Sequence, residues 1–174
     1  MDSIYMKSAI AEAEKAYAEG ETPVGAVIVR DGEIIASAHN MTERLNDSTA
    51  HAELLAIQAA EKATGDRRLT GCALYVTMEP CPMCAGAALN SRIEEIVFGA
   101  WDPEMGSCGS RTDVTDGRLP RRAKTMGGVL EEDCQRLLRD FFREKRGKEL
   151  VYCVHIMNFR RSIFVFNAGL IFLG

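Results

Sequence analysis

The sequence predicts an α/β protein, with one sheet covered by helices on both faces. Two observations point there. Short runs rich in β-branched residues alternate along the chain with Ala- and Leu-rich stretches of helical period. The 174 residues, 47% of them apolar, are enough for one domain around one core.

The elements follow in order. Met6, Ala9, Ile10, Ala13, Ala16 and Tyr17 recur at helical spacing, and Gly20 supplies a stop. Val24 to Val29 reads as a strand. Asp31-Gly32 and then Ile34-Ile35 complete a hairpin with a tight turn. Ala50 to Ala63 reads as a helix whose apolar residues spread around much of its circumference, which predicts burial. Ala73 to Thr77 is a strand, Pro82 to Leu89 a short helix and Ile96 to Ala100 another strand. Residues 101–128 read as loop with a short extended piece. A last helix carries Leu130, Cys134, Leu137, Leu138, Phe141 and Phe142 on one stripe. Acids fill its first turn and bases its last, as the helix dipole favours.

Residues 1–150 are expected to form one catalytic domain. Residues 151–174 form an apolar and aromatic tail, broken by Arg160-Arg161 and too short to span a bilayer. No catalytic motif lies in it. The formal net charge of −4 argues against a general nucleic-acid coat, though a local basic face is compatible with it. The first residues lack a basic region followed by an apolar run. A cytoplasmic location with reduced thiols is therefore expected, where clustered cysteines suggest metal or redox chemistry.

Two segments carry the chemistry. His51-Ala52-Glu53 opens one helix, and Glu79-Pro80-Cys81-Pro82-Met83-Cys84 joins a strand to the next. A helix–turn–strand path between them brings the two helix starts together. Two thiolates and an imidazole suit one zinc ion per chain and leave a fourth position for water. Glu53, two residues from His51, is placed to move protons without ligating. A lone C-x-x-C also suits a redox pair, but the flanking prolines and the upstream His-Ala-Glu favour the metal. A catalytically silent zinc-holding subunit would lack the glutamate.

H-x-E followed by P-C-x-x-C is the signature of zinc nucleobase deaminases. The segments TPVGAVIV, AHAELLAI, LYVTMEPCPMCAGAALNSRI, VFGAWDP, GSCGS and EEDCQRLLRDFFREKR resemble the bacterial tRNA adenosine deaminase family over roughly residues 3–148. The resemblance implies a three-layer α/β/α cytidine-deaminase-like sandwich with a central mixed sheet. It implies a homodimer that converts the wobble adenosine, position 34, of a tRNA anticodon loop to inosine. His51, Cys81 and Cys84 match the zinc ligands and Glu53 the proton shuttle. Asn40 matches the base-reading asparagine, and Asp102 a ribose–phosphate contact. Phe142 and Arg146 fall where the family meets the anticodon loop. Arg118, Arg121, Arg122, Lys124, Arg139 and Arg143 are further candidates for RNA contact. Arg111 to Gly117 departs from the family pattern. The alternative on the same fold is a free-base or nucleoside deaminase acting on guanine or cytosine.

Overall fold

The computed structural model describes residues 2–146. The expected tail, 151–174, lies outside the described residues. The chain divides into two compact units, Met1–Leu138 and Arg139–Gly174.

The first unit opens with α1 (Asp2–Ala18), which stops just before Gly20 at φ 80°. Strands β1 (Gly25–Arg30) and β2 (Glu33–His39) form the expected hairpin. Asp31 and Gly32 both take positive φ, 51° and 83°, as a two-residue hairpin loop requires. A short helix α2 (Thr42–Leu45) follows, then α3 (Ala52–Thr64), β3 (Cys72–Met78), α4 (Pro82–Asn90) and β4 (Glu95–Ala100). The extended piece expected in the long loop is β5 (Lys124–Met126). Residues 131–138 are helical (α5), as are residues 139–146 in the second unit. Leu130, expected on the helical stripe, instead precedes the helix with φ 53°.

The sheet order is β2-β1-β3-β4-β5. β1 runs antiparallel to both β2 and β3, while β3, β4 and β5 are parallel. Strand alternation then sorts the core into two halves. Ala26, Ile28, Leu74, Val76, Ile96 and Phe98 pack with Ala56, Ala60, Ala85 and Ala88 of α3 and α4. Val27, Val29, Tyr75 and Val97 pack with Met6 and Ala9 of α1 and Cys134 of α5. Helices on both faces of a mixed sheet give the three layers. Gly25 sets how close α1 comes: a Cβ there would collide with the backbone of Ala9 and Ala13.

Helix α3 differs from its expected all-round burial. Ala52, Glu53, Ala56, Ile57 and Ala60 are buried, whereas Leu54, Leu55 and Ala59 are only half-buried. The helix lies on one face of the sheet, so its outer side is only partly covered. No helix among the described residues is long and apolar enough to cross a membrane.

Candidate metal centre and its pocket

The parallel crossover β3–α4–β4 places Cys81 at the C-terminal end of β3, where α4 begins. Cys81 is the N-cap residue, with extended backbone, and Pro82 occupies the first turn, where a missing N–H goes unnoticed. His51 is the N-cap of α3, also extended. Neither side chain caps its own helix. Both are therefore free to face each other.

They meet as the sequence reading expects. Nδ1 of His51 lies 3.5 Å from Sγ of Cys84 and 3.8 Å from Sγ of Cys81. The three ligand atoms all lie within 4.8 Å of one another. A tetrahedral zinc with bonds of about 2.3 Å to sulfur and about 2.0–2.1 Å to nitrogen sets them about 3.6 Å apart. The cluster fits a zinc site in both donor chemistry and spacing.

Proton distribution in the cluster follows from its contacts. The hydrogen bond from Cys84, followed by one with His51, outweighs burial and pulls the Cys81 thiol down to about 4. The same bond to Cys81, with burial, holds the Cys84 thiol well above its ordinary value. The two thiols are thus coupled through one short contact. The hydrogen bond to Cys81 raises His51 against the opposing effect of burial.

Glu53 sits in the first turn of α3 and is 4% exposed. Burial pushes its carboxyl up to about 7, against the pull of its own backbone N–H and of His51. A carboxyl poised near neutrality can both take and give a proton.

These groups open on a pocket of about 320 Å³. Its lining includes His51, Glu53, Cys81, Asn40, Thr42, Asp102 and Met105. Both expected substrate contacts, Asn40 and Asp102, are therefore brought to the same pocket as the cluster. The Asn40 amide nitrogen donates to Glu21 Oε2 at 3.1 Å and to Thr42 Oγ1 at 3.0 Å. Asp102 is buried and closes a turn, its Oδ1 accepting from the backbone N–H groups of Glu104 and Met105. Phe142 and Arg146 belong to the second unit, where both are exposed; Phe142 meets Phe141 edge-on at 5.4 Å.

Two buried acids had no role in the sequence reading. Glu79, 2% exposed, accepts from the N–H groups of Asp102, Cys108 and Ser110 at 3.1, 2.9 and 3.0 Å. Burial pushes its carboxyl up, but these bonds, led by those from Ser110, outweigh burial and hold it below the usual value. Glu79 thereby folds residues 102–110 over the pocket, and Gly106 is packed against its carboxylate so closely that a Cβ would overlap it. Its place in the Glu-Pro-Cys motif was the available signal. Glu21 had none: its partners lie about twenty residues on.

Other candidates are held locally. His39 lies between Glu12 and Glu19, at 3.2 and 3.4 Å. In the basic cluster, Arg118 pairs with Asp116, Lys124 with Glu95, and Arg121 donates to Asn90. Cys72, Cys108 and Cys134 are buried free thiols. Trp101 is 44% exposed and packs edge-on against Phe98.

A mixed sheet between two helical layers, with a His-Cys-Cys cluster and a buried acid at two helix starts, defines a zinc-dependent deaminase. The chain belongs to the family of the cytidine and deoxycytidylate deaminase zinc-binding region, whose model matches residues 1–100. It is 53% identical over 149 residues to a tRNA-specific adenosine deaminase of Bacillus subtilis (strain 168), covering 85% of this chain and 92% of that one. It is 46% identical over 143 residues to a tRNA-specific adenosine deaminase of Aquifex aeolicus (strain VF5), covering 82% and 94%. A solved structure from work on A-to-I editing by tRNA:A34 deaminases superposes with a TM-score of 0.72 at 40% identity. It covers 77% of this chain and 98% of that one.

Proposed function

We propose that this protein hydrolytically deaminates the wobble adenosine, position 34, of tRNA to inosine. The observation that carries the chemistry is the buried Glu53 beside the His51, Cys81 and Cys84 cluster, both opening on one pocket. The substrate is supported by the relatives, which share about half their residues with this chain over most of their length.

In this reading His51, Cys81 and Cys84 hold the zinc. Zinc held there acidifies water, so that hydroxide is at hand near neutral pH. Asn40 and Asp102 bound the pocket that receives the base, taken out of the anticodon-loop stack. Glu53 takes a proton from the attacking water and delivers it to the ring nitrogen beside the carbon that bears the amino group. It then takes the second proton, from the hydroxyl newly added to that carbon, and gives it to the departing amino group, leaving a carbonyl behind. Water is consumed, ammonia leaves and inosine remains. Burial of Glu53 keeps bulk water from competing for that proton.

RNA binding is assigned to Phe142 and Arg146, an exposed aromatic and a cation of the kind that meets single-stranded bases and phosphates. The protein acts as a cytoplasmic homodimer. What supports a dimer is the apolar strip of Leu54, Leu55 and Met83, left half-buried on α3 and α4. What supports the cytoplasm is the set of free thiols.

The experiment offers zinc-loaded protein an anticodon stem-loop with a wobble adenosine, beside free guanine, cytosine and adenosine. Inosine from the stem-loop alone is expected. Turnover of a free base with no inosine in the stem-loop assigns the protein to small-molecule deamination instead.

A further inference from the structure

Glu21 lies behind the wall of the pocket that Asn40 and Thr42 form. It is 1% exposed, and a carboxylate so buried needs several donors around it. It finds four, all from residues 40–44. Oε2 accepts from Asn40 Nδ2 at 3.1 Å, Thr42 Oγ1 at 3.4 Å and the Glu43 N–H at 3.2 Å. Oε1 accepts from the Arg44 N–H at 2.7 Å.

A carboxylate only accepts, so the amide nitrogen of Asn40, not its oxygen, has to face Glu21. The other amide hydrogen goes to Thr42 Oγ1, whose own hydrogen goes to Glu21. Both amide hydrogens are thus used inside the protein. The carbonyl oxygen is the polar atom that Asn40 keeps for the pocket.

We infer that Glu21 is a positioning residue for the deamination assigned above, a reading on which this inference rests. Glu21 fixes the Asn40 amide so that the pocket presents a hydrogen-bond acceptor at that wall. The substrate group met there is a donor. On adenosine the donors are the amino group and the ribose hydroxyls, whereas the ring nitrogens are acceptors.

Glu21 also holds the first N–H groups of α2, so a purely structural role has to be separated from positioning. A double-mutant cycle does this. The readout is kcat/KM on the wobble-adenosine stem-loop, with zinc content measured for each variant. Glu21→Met is expected to lower kcat/KM by about tenfold or more. Glu21→Gln should restore most of it, because the glutamine oxygen can take the side facing three donors. In an Asn40→Ala background, the Met and Gln variants should differ by less than about twofold. If Glu21→Met loses zinc or fails to fold, Thr42→Val carries the test. It removes the other acceptor of the Asn40 amide, and its loss should vanish equally in the Asn40→Ala background. Wild-type rates in Glu21→Met, or losses of equal proportion in both backgrounds, overturn the inference alone. Wild-type protein that forms no inosine overturns the functional reading and the inference with it.

Discussion

Replacing Glu79 by alanine is expected to loosen the roof of the pocket and to destabilise the fold. The Glu79 carboxylate holds three backbone N–H groups, of which those of Asp102 and Cys108 belong to buried residues. Each buried donor left without a partner costs about 1–3 kcal/mol, so two cost about 2–6 kcal/mol. The Ser110 N–H belongs to an exposed residue, and water can replace its lost partner. Against a total stability of about 5–15 kcal/mol, this is a large fraction. Trp101 is the single tryptophan and adjoins the affected turn, so its fluorescence reports the transition directly. Urea unfolding of the zinc-loaded proteins should place Glu79→Ala about 2–6 kcal/mol below wild type. Glu79→Gln should fall between them. Its oxygen can serve Cys108 and Ser110 while its NH₂ group faces the Asp102 N–H. A Glu79→Ala midpoint within about 1 kcal/mol of wild type would show that these hydrogen bonds do not hold the loop.

Cys84→Ala should lose zinc in metal analysis of purified protein; zinc equal to wild type removes Cys84 from the ligand set. Gly25→Ala should destabilise strongly by thermal melting, because the new methyl meets α1 backbone that has no side-chain freedom to yield. An unchanged melting temperature would mean that α1 does not lie this close to β1. Burial raises the Glu12 carboxyl, but its bonds with Lys15, His39 and Ser37 outweigh that and hold it below 4.5. Its ionised form therefore stabilises the fold above about pH 4.5, and that contribution disappears as pH falls through the lower folded value. Unfolding followed from neutral pH downward should show Glu12→Gln losing less stability on acidification than wild type, and identical slopes would refute the assignment. Glu19, which shares His39 with Glu12, stays intact in that comparison.

Much of this was legible in the sequence, for physical reasons. The hairpin was written in Asp31-Gly32, because few residue pairs tolerate two positive φ values in succession. The metal cluster was written in His51, Cys81 and Cys84, because a C-x-x-C at a helix start has little else to do beside a histidine. Other features depend on partners far along the chain. Glu21 looks like any polar residue after a glycine; only the fold brings residues 40–44 around it. The three residues of β5 are all exposed, so no apolar pattern fixed where in 101–128 the expected extended piece would fall. Helix α2 buries no residue and is fixed by Glu21 instead. The outer side of α3 carries leucines that composition alone assigns to a core.

The central claim is that Glu53 and the zinc cluster together deaminate adenosine in an anticodon loop. The most direct measurement digests the reacted stem-loop to nucleosides and compares inosine with released ammonia, for wild type and for Glu53→Ala of equal zinc content. Wild type should yield inosine and ammonia in equal amounts, and Glu53→Ala should be slower by about 10²–10⁴-fold. Inosine formed by Glu53→Ala within a few-fold of the wild-type rate would contradict the assignment of Glu53 as the group that moves the proton.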